Sequence, residues 1–351
     1  MRSVFLPKLN RNIVFGRKRP HPGAQCLHLR NYLRSSLPTP PPSADYTSKA
    51  SQELSNIDEN DSLGDCVIAG GYHIVGVETG NAGNQFIATN AQITKDYTAI
   101  GGYIPGNPNT DNGCDIPTAL GYWATHGFAN GTKLLGFLAV DPTNVTEVQQ
   151  ALYLFENLML GLELPDAWIS PFPSGNGFTW DIAGNPDPEN GHCIIGAGYA
   201  ATGTKILGYN AAGLIISTWG MLGILTWAAL AKYCSAKNYG ELYVLLTPDQ
   251  VTKGQTIAPN GVSWSELISD FDALGGNVPV PTPTPVPVNP PTPTPPNPTP
   301  PTPTPPTPST GVTLAQATQW ATEGLKKSPF VITRPQAESI VKKSLTTNWP
   351  K

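Results

Sequence analysis

Along the middle of the chain the spacing of apolar positions changes rule part-way. From Cys66 to Thr79, Val67, Gly70, Gly71, Ile74 and Val77 recur at helical spacing, and the small residues among them permit close packing. Shorter helices are predicted over Thr89–Ile100 and Ile116–Gly127, the second with Pro117 in its first turn, where a missing N–H leaves no hydrogen bond unmade. Further on, short apolar runs predict strands at Lys133–Val140, Leu158–Leu164, His192–Tyr199, Lys205–Tyr209, Leu214–Thr218 and Glu241–Leu246, with one helix over Thr226–Cys234. Helices first and antiparallel strands second make an α+β layout. Leu214–Ala231 is uncharged and long enough to suggest a membrane span, but Gly, Ser and Thr interrupt it, and it divides into a strand, a Trp-Gly loop and a helix.

Flanking segments follow different rules. Residues 1–50 form an extended arm that ends in Pro38-Thr39-Pro40-Pro41-Pro42, within which Cys26–Leu33 alternates apolar and polar residues as an edge strand would. The main domain spans 51–277. Residues 278–310 form a Pro/Thr-rich linker, with 17 prolines between 279 and 308, and such a segment is a stiff polyproline-II spacer, a stalk of about 3.1 Å per residue. Residues 311–351 pattern as a small helical hairpin, at the lower size limit for folding without help. Charge divides along the same lines. The first 44 residues hold eight Lys or Arg and no acid, residues 45–310 hold seven basic against 23 acidic, and the last 41 hold six basic against two. Basic ends of this kind contact an anionic surface, an assembly partner or the acidic body itself. Nucleic acid is not indicated, since no aromatic-interleaved basic motif accompanies the charge. No signal peptide is evident, which leaves the cytoplasm and a virion or cell surface equally open.

Five cysteines without a C-x-x-C pair suggest neither a disulfide framework nor a zinc site, and no cofactor is expected. Cys66 differs from the others. It opens a helix directly after Gly64-Asp65, and a helix N-terminus stabilises a thiolate. His192, at the first position of a buried strand in Gly191-His192-Cys193-Ile194-Ile195-Gly196-Ala197-Gly198-Tyr199, offers an imidazole to exchange the proton. The plainer readings are a small buried hydrophobe for Cys66 and packing roles for Cys114, Cys193, Cys234 and His73. Asp65 works against the chemistry, because a carboxylate beside the thiol raises its pKa unless it points outward.

These segments, in this order, resemble the papain-like cysteine peptidases. The family places an amide side chain six residues before its nucleophile, and Asn60 stands there; its histidine segment matches Gly191–Tyr199 closely; its Asn-Ser-Trp-Gly segment corresponds to Ser217-Thr218-Trp219-Gly220. Asp111-Asn112-Gly113 through Gly127 and the helix-strand unit Val145–Leu164 extend the resemblance over roughly residues 55 to 247, with an overall look close to papain-like proteins of bacterial and phage genomes. The resemblance implies a two-lobed fold with a cleft between the lobes. It also implies a thiol hydrolase in which Cys66 attacks a peptide or protein carbonyl, His192 shuttles the proton, and Asn60 with the Cys66 N–H holds the oxyanion. Ser217 replaces the Asn that orients the imidazole, with Asn210 and Asp181 as rival orienters and Trp219 as a shield. The arm lacks the long charged helix of the family's propeptides, so it reads as a structural wrap rather than a removable segment. Ser217, Asp65 and the shortened amide equally suit a papain-fold binding module without turnover, displayed on a stalk, and an acyl-thioester could also pass to an amine.

Overall fold

The computed structural model describes residues 2–21, 26–33, 39–201 and 211–248, together with 262, 263, 267 and 269. The chain divides into two units, Met1–Val278 and Pro279–Lys351. The linker and helical hairpin expected at 278–310 and 311–351, and the strand expected over Lys205–Tyr209, lie outside the described residues.

In chain order the strands are β1 (Arg2–Leu6), β2 (Arg11–Phe15), β3 (Leu27–His28), β4 (Ser43–Asp45), β5 (Gly136–Ala139), β6 (Leu158–Glu163), β7 (Phe178–Trp180), β8 (Gly191–Ala200), β9 (Gly213–Thr218), β10 (Met221–Thr226) and β11 (Glu241–Leu246). The α-helices are α1 (Ser51–Leu54), α2 (Cys66–Asn81), α3 (Asn90–Gly101), α4 (Ile116–His126), α5 (Val145–Phe155), α6 (Asp166–Ile169) and α7 (Trp227–Tyr233). β1 and β2 form their own antiparallel hairpin. The other strands make one sheet in the order β3-β5-β11-β6-β8-β9-β10-β7, with β4 also on β8. No helix among the described residues is long and apolar enough to cross a membrane.

Burial of α2 on nearly every side explains its run of apolar and small residues, which shows no strong polar face. Its residues Val67, Ile68, Tyr72 and Ile74 pack with Ile93 and Tyr97 of α3, Leu120 and Trp123 of α4, and Cys193, Ile195 and Ala197 of β8. Gly70 sets the approach, since a Cβ there would sit 3.3 Å from Cys193 Sγ. The period of two along β8 sends Ile194 into a second core with Val148, Leu152 and Phe155 of α5, and that core also takes Ile13 and Phe15 of the arm. A helical lobe and a β lobe thus meet along α2 and β8. α3 starts at a full capping box, Thr89 with Gln92, and α4 at Asp115, whose side chain accepts from the Thr118 N–H at 3.0 Å.

Two sequence expectations need correcting. The Trp-Gly "loop" is a two-residue hairpin turn, with Trp219 and Gly220 both at positive φ (46° and 71°) and Thr218 paired with Met221, so that Met221–Thr226 is a strand. The alternating segment Cys26–Leu33 gives only the two-residue β3, parallel to β5 at the sheet edge, before a 3₁₀ turn begins at Leu29.

Candidate active site

The loop before α2 is positioned by the α3–α4 connection. Asp111 accepts from the Gly64 N–H at 3.1 Å and from the Tyr97 hydroxyl at 2.5 Å, and the Tyr97 oxygen in turn accepts from the Gly113 N–H at 2.8 Å. Cys66 then opens α2 with only 2% of its surface exposed. Asp65 occupies the N-cap without capping: both of its carboxylate oxygens are buried and unbonded.

His192 enters from β8. Its Nε2 meets Thr218 Oγ1 at 2.8 Å, its ring lies flat on Trp219, and Phe15 packs edge-on against both rings. His192 Nδ1 is buried with no hydrogen-bond partner. Cys66, Asn60, His73, His192, Ser217 and Thr218 border one cavity of about 10 Å³, room for about one water. Among the described residues no hydrogen bond links Cys66 to His192.

The hydroxyl at the imidazole belongs to Thr218, while Ser217 Oγ donates to the Leu54 carbonyl at 3.4 Å. Neighbours on a strand face opposite sides, so the hydroxyl that meets the ring is one residue along in the same motif. Asp181 is exposed and accepts from the Thr226 hydroxyl and the Ile182 N–H, away from the ring; Asn210 lies outside the described residues. Asn60 reaches the cavity, yet its amide donates to the Leu63 carbonyl at 2.9 Å and the Val14 carbonyl at 3.3 Å.

No family model matches the chain, and no curated protein matches it in sequence. Among solved structures, the chain is similar to xylellain, a cysteine protease from Xylella fastidiosa, with a TM-score of 0.50 and 13% identity over 66% of this chain and 96% of that one. Weaker likenesses include digestive procathepsin L2 from Tenebrio molitor larval midgut (TM-score 0.47, 12% identity, 67% and 78% covered). Another is the Carica candamarcensis cysteine protease CMS1MS2 (TM-score 0.39, 13% identity, 59% and 98% covered). The fold is papain-like.

The arm lies between the segments that carry Cys66 and His192 and bonds to both sides. Val14 N–H donates to the Asn60 carbonyl at 3.1 Å, the Gly16 carbonyl accepts from Cys114 N–H at 3.1 Å, Lys18 N–H donates to the Cys114 carbonyl at 3.0 Å, and Arg17 N–H donates to the Gly191 carbonyl at 3.1 Å. The backbones are too close for side chains. A Cβ on Gly16 would strike the Gly64 carbonyl, one on Gly113 the Gly16 carbonyl, and one on Gly191 the Arg17 carbonyl. Arg11 anchors the hairpin further by donating to the Trp219 carbonyl at 2.7 Å. At these points the arm packs directly on the segments around Cys66, Cys114 and Gly191.

This burial governs the electrostatics. It pushes the Cys66 thiol up to about 12, against backbone hydrogen bonds from Cys193 and Gly16 that pull the other way. It drives His192 down to about 3, so the imidazole is neutral. Asp65 points inward, and the same desolvation raises it well above the usual carboxylate range. Below Cys66 on α2, His73 lies 3.5 Å from Glu53 and 3.4 Å from Asp58. Burial opposes its charge, but the two carboxylates outweigh that and raise its pKa. These three buried groups have ligand atoms within 4.8 Å of one another, a spacing a cation could use.

Proposed function

We propose that the protein is a papain-like thiol hydrolase acting on peptides, with Cys66 as nucleophile and His192 as general base and acid. The observation that carries this reading is the shared cavity: a cysteine at the first turn of a buried helix and an imidazole pinned through Nε2 border the same small space, and the free Nδ1 is the atom available to exchange the thiol proton. The Cys66 backbone N–H lies at the positive end of α2, where an oxyanion is stabilised. One N–H of Asn60 joins it once Val14 withdraws.

Attack at a substrate carbonyl by Cys66 sulfur forms the acyl-thioester as the proton passes to His192 and on to the leaving amine. Water, deprotonated by His192, then releases the acid. A second reading, a papain-fold module without turnover, is favoured by the arm in the cleft and by a thiol near pKa 12, and both belong to the arm-seated state. Single-turnover acylation with an activated ester separates the two. A hydrolase gives an acyl adduct on Cys66 that is lost in His192→Ala; a folded protein that stays unacylated when its arm is loosened supports the binding module.

A further inference from the structure

Arg17 is a fully buried arginine in the middle of the cleft-bound arm, its side chain 0% exposed. Its Nε and Nη2 converge on Glu241 Oε1 at 2.9 and 2.6 Å, and Nη2 also donates to the Tyr239 carbonyl at 2.6 Å. Glu241 is held in turn by the Tyr243 hydroxyl, which donates to Oε2 at 2.9 Å. Beside Glu241, as its paired neighbour on β6, stands Gly161, where a Cβ would come within 2.6 Å of both Arg17 Nε and Glu241 Oε1. The slot is thus shaped by a missing side chain and floored by a carboxylate. The next two basic residues are not taken up this way: Lys18 is exposed, and Arg19 stays 43% exposed over Glu163 and the Tyr239 ring.

The contacts holding the arm fall into two kinds. Gly16, Arg17 and Lys18 bond to Cys114 and Gly191 through backbone atoms, which any extended peptide possesses. At this point in the cleft, choice among peptides rests on the slot, which engages two guanidinium nitrogens, Nε and Nη2, through three hydrogen bonds while Nη1 is buried without a partner. That convergence of two donors on one carboxylate suits a guanidinium better than an ammonium. Arg17 is fixed by the residue immediately before His192, so a peptide in the same register would present its backbone beside the candidate catalytic pair.

We propose that the slot at Gly161 and Glu241 is a specificity subsite that takes an arginine side chain of a peptide, with Arg17 as its occupant in cis. The proposal names the substrate class for the hydrolase reading and rests on it, but its test reads binding without chemistry. A fluorescently labelled acetyl-Phe-Gly-Arg-Lys-amide and its citrulline counterpart are titrated by anisotropy against the full chain, Arg17→Ala and Arg17→Ala/Glu241→Gln. In the wild type, tethered Arg17 competes at high effective concentration and the peptide binds weakly. Arg17→Ala should bind the arginine peptide roughly tenfold or more tighter than the citrulline peptide, hydrogen bonds between charged groups being the strong class, and Glu241→Gln should erase that difference. Should Arg17→Ala fail to fold, Arg17→Lys keeps a charge on Glu241 while losing the converging N–H donors, and should show the same preference, reduced. Equal affinity for the two peptides in a folded Arg17 variant, or no binding of either, overturns the proposal and leaves the slot as an anchor for the arm alone. Acylation of Cys66 together with arginine-blind binding would sink the subsite and keep the hydrolase; arginine-selective binding on an inert Cys66 would do the reverse.

Discussion

His192 lies flat on Trp219, with ring centroids 3.7 Å apart and planes within 5° of parallel. The stack fixes the plane of the imidazole, and the Thr218 hydroxyl at Nε2 fixes its rotation within that plane. Trp219 reaches this position from the tight β9–β10 turn, at a φ of 46° that non-glycine residues seldom adopt.

Thr218 is therefore the residue expected to orient the imidazole. Thr218→Val keeps the shape and removes the hydroxyl, leaving His192 with two unbonded buried nitrogens at a cost of about 1–3 kcal/mol. Urea unfolding should show that loss, and Cys66 acylation should slow. Ser217→Ala, which removes only a long bond to Leu54, should leave both measurements near wild type.

Burial of the thiol sets its pH response. With Cys66 near 12 and His192 near 3, the pair is neutral at every pH between. Alkylation of Cys66 by iodoacetamide, followed by mass spectrometry from pH 6 to 9, should rise about tenfold per pH unit without a plateau, tracking the thiolate fraction. A plateau below pH 8 would show an ion pair in the resting protein and contradict this geometry.

Gly16 is the point at which the arm is easiest to dislodge. A methyl group there meets the Gly64 carbonyl, so Gly16→Ala should weaken the seated arm by the roughly 1–3 kcal/mol typical of overpacking. At fixed pH, Cys66 alkylation should accelerate by about tenfold or more if that cost falls on the closed state. Unchanged labelling in a folded Gly16→Ala protein would mean that the arm does not limit access.

Asp65 makes stability fall as pH rises. Its folded pKa lies above the unfolded value, so its contribution is fully present below about pH 3.9 and is lost as pH rises toward the folded pKa. Between those limits the folded protein holds a proton that the unfolded chain releases. Asp65→Asn removes this dependence. The stability difference in favour of the variant should grow as pH rises above about 3.9, by at most about 1.4 kcal/mol per unit, and level off once the folded carboxyl ionises, as read from urea unfolding at pH 4, 5, 7 and 8.5.

Much of the two-lobed core could be read from spacing alone. α2, β6, β8 and β9 appear where period and composition placed them, and α5 where the family resemblance placed it, because each buries a continuous apolar surface. The Cys66 and His192 neighbourhoods were legible for the same reason, as each sits at the start of a strongly patterned element. The β1–β2 hairpin was not, because its purpose is supplied from far away: Arg2 pairs with Asp166 and Asp187, and Val14 with Asn60. The choice of Thr218 over Ser217 was equally hidden, since two adjacent hydroxyls differ only in which side of the strand they face.

The crossing of the arm from Cys114 to Gly191 also sets how fast a peptide can take the arm's place there. No peptide can make those backbone bonds until Gly16, Arg17 and Lys18 have let go of them. Entry is therefore gated by a first-order step of the protein itself. Raising the peptide concentration should drive the observed rate to a ceiling equal to the rate of arm release, a ceiling that belongs to this chain and is the same for every ligand that uses the cleft.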